Sequence, residues 1–123
     1  MYLDRCARRE IEAQRAADLV LQNDREATTT LLRHRGMPSG AVMVVAGIAD
    51  RARVSLKAML TSKKSALISL RWEAMYRLKT GEGLKNVPSF LRLSEWFGRE
   101  HTTVIYAVSA YAIDNGLPPL TSM

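Results

Sequence analysis

The part of this sequence with the clearest chemical potential is a polar run that directly follows a Gly-Arg pair: Glu100, His101, Thr102 and Thr103. Polar side chains in the first turn of a helix can reach base edges in the major groove of DNA. A carboxylate accepts a hydrogen bond from the cytosine amino group, and threonine can donate, accept or touch the thymine methyl group. The alternative interpretation is that the threonines only cap a helix and that His101 is an ordinary surface residue.

Few other residues are suited to catalysis or metal binding. Cys6, His34 and His101 are the only thiol and imidazole side chains, whereas a structural zinc site needs about four such ligands. No Ser-His-Asp arrangement or carboxylate pair gathers around either histidine, and the sequence contains no G-x-x-x-x-G-K-[ST] phosphate-binding loop. We therefore expect no metal, no cofactor and no enzymatic activity.

Composition narrows the class of protein further. The 123 residues are 47% hydrophobic and 24% charged, which is typical of one globular domain rather than of a disordered chain. No apolar run approaches the roughly 20 residues that a membrane-spanning helix needs. Charged residues from Asp4 onward predict no signal peptide, and a single cysteine suits a reducing compartment. We predict a cytoplasmic, nucleoid-associated protein with no membrane partner.

Basic residues are concentrated in one part of the chain. The net charge is +6 and the isoelectric point is near 9.9. Residues 51–101 hold eleven basic and four acidic side chains, whereas residues 1–40 hold seven and six. Such a concentration is the electrostatic pattern expected of a protein that binds a phosphate backbone, although a solvated basic surface is the alternative. Double-stranded DNA is the partner that this pattern favours.

Helices must position these residues, because no stretch alternates between polar and apolar residues as a strand does. We predict an all-α fold. Residues 3–22 and 24–34 are expected to form an N-terminal helical hairpin, which ends at a break rich in glycine and proline. Further helices are predicted over residues 41–53, from Ser55 to about Leu60, and over residues 67–79, 89–97 and 101–114.

The last two predicted helices, joined by a tight turn at Gly98, have the layout of a helix-turn-helix. Residues 97–107 resemble the signature of the C-terminal, DNA-box-binding domain of the bacterial replication initiator DnaA. That family typically has Phe-Gly-Gly-Arg-Asp-His-Thr-Thr-Val-(Ile/Leu)-His-Ala there. Residues 60–64, 71–76 and 89–94 are similar to the same domain in the same order. The resemblance implies a helix-turn-helix DNA-binding domain over residues 39–116, followed by a flexible tail over residues 117–123.

The resemblance also implies which residues contact DNA. Glu100, His101 and Thr102 occupy the positions at which the family reads major-groove bases, and Thr103 occupies that of a neighbouring base or phosphate contact. The basic residue that enters the adjacent minor groove corresponds to Lys63 or Lys64. The resemblance implies phosphate contacts for Lys79, Phe90 and Leu91. Arg99, directly after the turn, is a fourth candidate. The family has proline where this sequence has Leu91.

The predicted function is sequence-specific binding of double-stranded DNA by a transcription regulator, for example of a phage or phage-derived element. The sequence has no ATPase domain, so it does not predict an ATP-driven initiator. One alternative is a replication regulator that competes for, or assists at, initiator boxes. A second alternative is an interaction protein with vestigial DNA binding. The predicted hairpin of residues 1–38 is the candidate surface for a homodimer or for a contact with RNA polymerase or a co-regulator.

Overall fold

The computed structural model describes the backbone of residues 2–120 and the side chains of residues 8–120. This part of the chain consists of helices joined by turns and short connections, which confirms the predicted all-α fold. The six helices are α1 (Tyr2–His34), α2 (Ser39–Ala52), α3 (Leu56–Thr61), α4 (Ser65–Lys79), α5 (Phe90–Phe97) and α6 (His101–Asp114). None of the helices within the described residues combines the length and the apolar character that crossing a bilayer requires.

The N-terminal region is a single helix, so the predicted hairpin is wrong. The turn expected at Asn23 and Asp24 is absent, and α1 continues through it. The carboxylate of Asp24 accepts hydrogen bonds from the Ser55 hydroxyl (2.9 Å) and from the backbone N–H of Lys57 (3.1 Å). Asp24 therefore helps to cap the start of α3 instead of starting a new helix of its own, and nothing interrupts α1.

α1 has two parts that differ in their surroundings. The side chains of residues 8–21 are all exposed, among them those of Ile11, Leu19 and Val20. Thr28 and Leu32, in the second part, are buried where α1 packs against α2 and α3. The second part therefore belongs to the core, whereas the first part extends away from it.

α1 ends in a turn that fixes its last residues rigidly. Gly36 has a φ of 94° and its backbone N–H donates to the Arg33 carbonyl (2.9 Å), while the N–H of Met37 donates to the Leu32 carbonyl (3.1 Å). These two bonds form a Schellman motif, in which an apolar residue beyond the turn packs back on the helix. Met37 and Leu32 are both buried, so the backbone of Arg35 is held between them.

α4 is the central helix and packs against α2, α3, α5 and α6. Trp72 contacts Tyr106 with ring centroids 5.9 Å apart, and Tyr76 contacts Tyr111 at 5.4 Å. Because both residue numbers rise together along the contact, α4 and α6 run in the same direction. Their N-terminal ends therefore lie at the same end of the molecule.

The residues after α6 are held against the core, which corrects part of the predicted tail. The Tyr76 hydroxyl donates a hydrogen bond to the Pro118 carbonyl (2.8 Å), and Leu120 packs against the buried residues. Residues 117–120 are therefore part of the folded unit. The remainder of the predicted tail, residues 121–123, and the side chain of Cys6 lie outside the described residues.

Candidate nucleic-acid interface

α5 and α6 are joined by a tight turn at the predicted position. Gly98 has a φ of 63°, and the backbone N–H of Arg99 donates to the Ser94 carbonyl (3.0 Å). The Ser89 hydroxyl accepts from the backbone N–H of Arg92 (3.0 Å) and caps the start of α5. Buried side chains from both helices, including Leu93 and Val104, pack them together. Local signals in the sequence thus predicted both helices to within one residue.

The first turn of α6 presents polar side chains outward. Glu100, His101, Thr102 and Thr103 are all exposed, and the next residue, Val104, is fully buried. The N-cap of α6 is Glu100, whose side chain makes no capping hydrogen bond. Thr102 and Thr103 therefore do not cap this helix, which contradicts the alternative interpretation of the two threonines.

The exposed face of α6 continues for one more turn to Tyr106, which sequence reasoning did not include among the site residues. Tyr106 is 65% exposed and lies four residues after Thr102, so the two share a face of the helix. Its ring rests edge-on against Trp72, with an interplanar angle of 83°. The signal that could have found it was this spacing from Thr102.

The N-terminal ends of α4 and α6 create a region that favours anions. Neither N-cap side chain makes a capping hydrogen bond, and α4 has no acidic residue in its first turn, whereas the N-cap of α6, Glu100, adds one negative charge. Uncapped backbone N–H groups and the positive end of the helix dipole attract negative charge. Lys63 and Lys64, both exposed, directly precede α4 and add two positive charges at this end.

Arg99 connects the two parts of this region. Its Nη2 donates a hydrogen bond to the Leu60 carbonyl at 2.7 Å, which holds the end of α3 against the turn between α5 and α6. Arg71 is buried and donates to the carbonyls of Met59 and Ser62, each at 3.2 Å. Burial, followed by the nearby charge of Arg99, lowers the pKa of Arg71. The two arginines thus fix the segment that carries Lys63 and Lys64 beside the first turn of α6.

The structure buries the side chains of two residues for which phosphate contacts are implied, which contradicts a side-chain contact there. Lys79 is 2% exposed, and its Nζ donates to the Pro88 carbonyl at 2.7 Å and lies 4.6 Å from the centroid of the Phe90 ring. Burial lowers the pKa of this ammonium group. Phe90 is itself only 3% exposed. Their side chains join α4 to the start of α5 and are not available to a ligand outside the protein.

The other two implied phosphate contacts stay predictions. Leu91 is 58% exposed in the first turn of α5, next to Phe90, whose ring centroid is 6.5 Å from that of His101. Arg99 is half-buried, and one end of its guanidinium is bound to Leu60. The structure therefore brings these implied contacts beside one another: Lys63, Lys64, Arg99, Glu100, His101, Thr102 and Thr103. Leu91 lies at the start of α5, which Lys79 joins to the last turn of α4.

Neither a metal-binding cluster nor a match to a known protein suggests another function. Among the described residues, no three His, Cys, Asp or Glu side chains gather closely enough to hold a metal ion. No protein-family model, curated protein or solved structure matches this chain. The resemblance to the DnaA domain therefore stays a prediction that rests on the residues quoted above.

Proposed function

We propose that this chain binds double-stranded DNA in a sequence-specific manner, with the first turn of α6 in the major groove. The observation that carries the proposal is the exposed row of Glu100, His101, Thr102 and Thr103 directly after a tight turn between two packed helices. Residues at the start of a recognition helix are those that reach base edges. The uncapped N-termini of α4 and α6 and the two adjacent lysines supply the attraction for phosphate.

We propose transcription regulation as the biological role. The resemblance to the DnaA domain supports reading of DNA sequence, which is the activity that such a regulator needs. Control of replication at initiator boxes is the alternative that the same resemblance favours. A protein–protein interaction role with vestigial DNA binding is the third candidate, because the exposed first part of α1 offers apolar side chains to a partner.

The test is enrichment of binding sites from a random double-stranded DNA library, followed by footprinting of genomic DNA with the full chain. The expected result is one enriched motif, which the double variant His101→Ala/Thr102→Ala fails to enrich. The matched control Asp114→Ala/Asn115→Ala, exposed at the opposite end of α6, should enrich the same motif as the parent. Promoter footprints would support transcription regulation, and origin footprints would support replication control. Weak binding without any enriched motif would contradict the proposal.

Self-association through α1 is part of the proposed assembly. Ile11 (50% exposed), Leu19 (57%) and Val20 (67%) make no contribution to the core of this chain, so a second copy can cover them. Sedimentation of the full chain and of a variant lacking residues 1–20 tests this. A dimer that becomes a folded monomer on truncation would support self-association. A full chain that stays monomeric at high concentration would contradict it.

A further inference from the structure

The end of α1 lies directly against the turn between α5 and α6. A Cβ atom added to Gly98 would lie 3.0 Å from Cζ and Nη1 of Arg35 and 3.1 Å from its Nη2. Because these three atoms are nearly equidistant from that point, the guanidinium lies flat over Gly98. Its Nη1 is also 3.5 Å from the Trp96 carbonyl oxygen, at the last turn of α5. Arg35 is therefore a neighbour of the residues that lead into α6, although 61 positions separate it from Trp96.

The fold holds the backbone that carries this guanidinium. Arg35 follows the last residue of α1, between Leu32 and Met37, whose backbone hydrogen bond closes the Schellman motif at 3.1 Å. Both of these residues are buried, and they hold the backbone of Arg35 in place. A cation that is fixed before binding loses less conformational entropy when it meets an anion.

Most of the hydrogen-bonding capacity of Arg35 is unused within the described residues. A guanidinium has five N–H donors, and that of Arg35 makes one long hydrogen bond, to Trp96. The side chain is exposed and takes part in none of the salt bridges found in the described residues, whereas Arg51 and Arg77 both pair with Glu73. An exposed, unneutralised guanidinium with a fixed position is suited to bind a phosphate group through two parallel hydrogen bonds.

We propose that Arg35 binds the phosphate backbone beside the major groove that α6 enters, so that the end of α1 is part of the DNA interface. This inference rests on the proposed function, because it needs the first turn of α6 to approach DNA. A turn that leads directly into a recognition helix lies close to the backbone that borders the groove. The near-neutral charge of residues 1–40 hides this contribution, since seven basic and six acidic side chains almost cancel in the sequence.

The competing explanation is that Arg35 only caps the last carbonyl groups of α5. Arg35→Gln separates the two roles, because glutamine can still donate a hydrogen bond to the Trp96 carbonyl but carries no charge. Arg35→Lys keeps the charge and loses the planar fork. Arg53→Gln is the matched control, since Arg53 is an exposed arginine at the end of α2 and belongs to neither the proposed DNA interface nor the proposed dimer surface.

The measurement is the slope of log affinity against log salt on the enriched DNA site, with the full chain. Arg35→Gln should reduce the magnitude of the slope by about 0.9. When the salt concentration rises from 50 to 200 mM, the factor by which its binding weakens should therefore be roughly 3.5 times smaller than in the parent. Arg35→Lys and Arg53→Gln should keep the parent slope. Phosphate ethylation interference adds a readout independent of stability: one or two phosphates that interfere in the parent should no longer do so in Arg35→Gln.

Each result separates this inference from the proposed function. A parent that binds its site, together with an Arg35→Gln slope and an interference pattern equal to those of Arg53→Gln, would overturn the role of Arg35 and leave the proposed function standing. A parent that enriches no site and shows a slope near zero would overturn both. If Arg35→Gln does not fold, Arg35→Met, which keeps an aliphatic stem but carries no charge, decides: loss of the same interfering phosphates supports the contact, and an interference pattern equal to that of the parent overturns it.

Discussion

The resemblance implies that Lys79 contacts phosphate, whereas the structure buries this side chain. Replacing Lys79 by methionine distinguishes the two. Methionine keeps an unbranched chain of similar length but has no ammonium group. The variant loses a hydrogen bond from a charged donor to the Pro88 carbonyl (2.7 Å), worth about 1.5–3 kcal/mol. It also loses the contact of the ammonium with the Phe90 ring, worth about 0.5–2 kcal/mol. Relief of the cost of burying a charge offsets part of this loss.

The net expectation for Lys79→Met is a loss of about 1–3 kcal/mol in the free energy of unfolding. For a domain of this size that corresponds to a decrease in Tm of about 4–12 °C. The slope of log affinity against log salt should stay at its parent value, because the side chain is 2% exposed and cannot reach phosphate. Lys64→Met provides the contrast: this exposed lysine should lower the magnitude of the slope by about 0.9 and leave Tm unchanged.

Thermal denaturation and salt titration on one DNA site measure both quantities. A Lys79→Met protein with the parent Tm and a slope reduced by about 0.9 would refute the buried position of Lys79 and restore the role implied by the resemblance. Equal slopes in Lys64→Met and the parent would instead remove Lys64 from the DNA interface. Lys79→Met therefore tests the buried position of Lys79, and Lys64→Met tests the contact of Lys64 with DNA.

Four further predictions concern single substitutions. Thr102→Ala should weaken binding to the enriched site by about 1–3 kcal/mol in a titration and leave binding to random DNA unchanged; equal losses on both DNAs would contradict base reading. Gly98→Ala should lower stability in thermal denaturation by about 1–2 kcal/mol, because its φ is 63°. Gly47→Ala, an exposed helical glycine with free space around it, should instead raise stability by about 0.5–1 kcal/mol. Burial alone would raise the pKa of Glu73, but hydrogen bonds from two arginines outweigh it and hold this pKa below its ordinary value of 4.5. The stability that Glu73 contributes is therefore complete above that pH and lost on acidification below it, so Glu73→Gln should flatten the acid limb of the pH–stability curve.

Elements whose boundaries depend on nearby residues could be predicted from the sequence. Ser55 and Ser89 each accept a hydrogen bond from the backbone N–H three residues later, and they start α3 and α5 as expected. The left-handed conformation of Gly98 ends α5 where the sequence places a turn. These signals act within one helical turn, so the residue types alone carry them. The first turn of α6 follows from the same local information.

Features that depend on distant residues could not be predicted. Asp24 has the residue type of a helix N-cap, but its hydrogen-bond partner Ser55 is 31 positions away, and the helix passes through it. Arg99 has the residue type of a phosphate contact, but one end of it binds the Leu60 carbonyl 39 positions earlier. In each case a tertiary partner that nothing in the neighbouring sequence reveals binds the side chain: it prevents a helix start at Asp24 and occupies one end of the Arg99 guanidinium.

Tertiary contacts also reduce the number of basic residues that are available to bind DNA. Of the eleven basic residues in positions 51–101, four are engaged by the fold itself: Arg51, Arg71, Arg77 and Lys79. The cations beside the first turn of α6 are Lys63, Lys64, Arg99 and, from α1, Arg35. Four phosphate contacts predict a slope near −3.6 and about a 150-fold loss of affinity between 50 and 200 mM salt, whereas eleven would predict a slope near −10 and about a million-fold loss. The measured slope therefore reports how many of the basic residues contact DNA. The count of basic residues in the sequence overestimates this number, because it includes the cations that the fold itself engages.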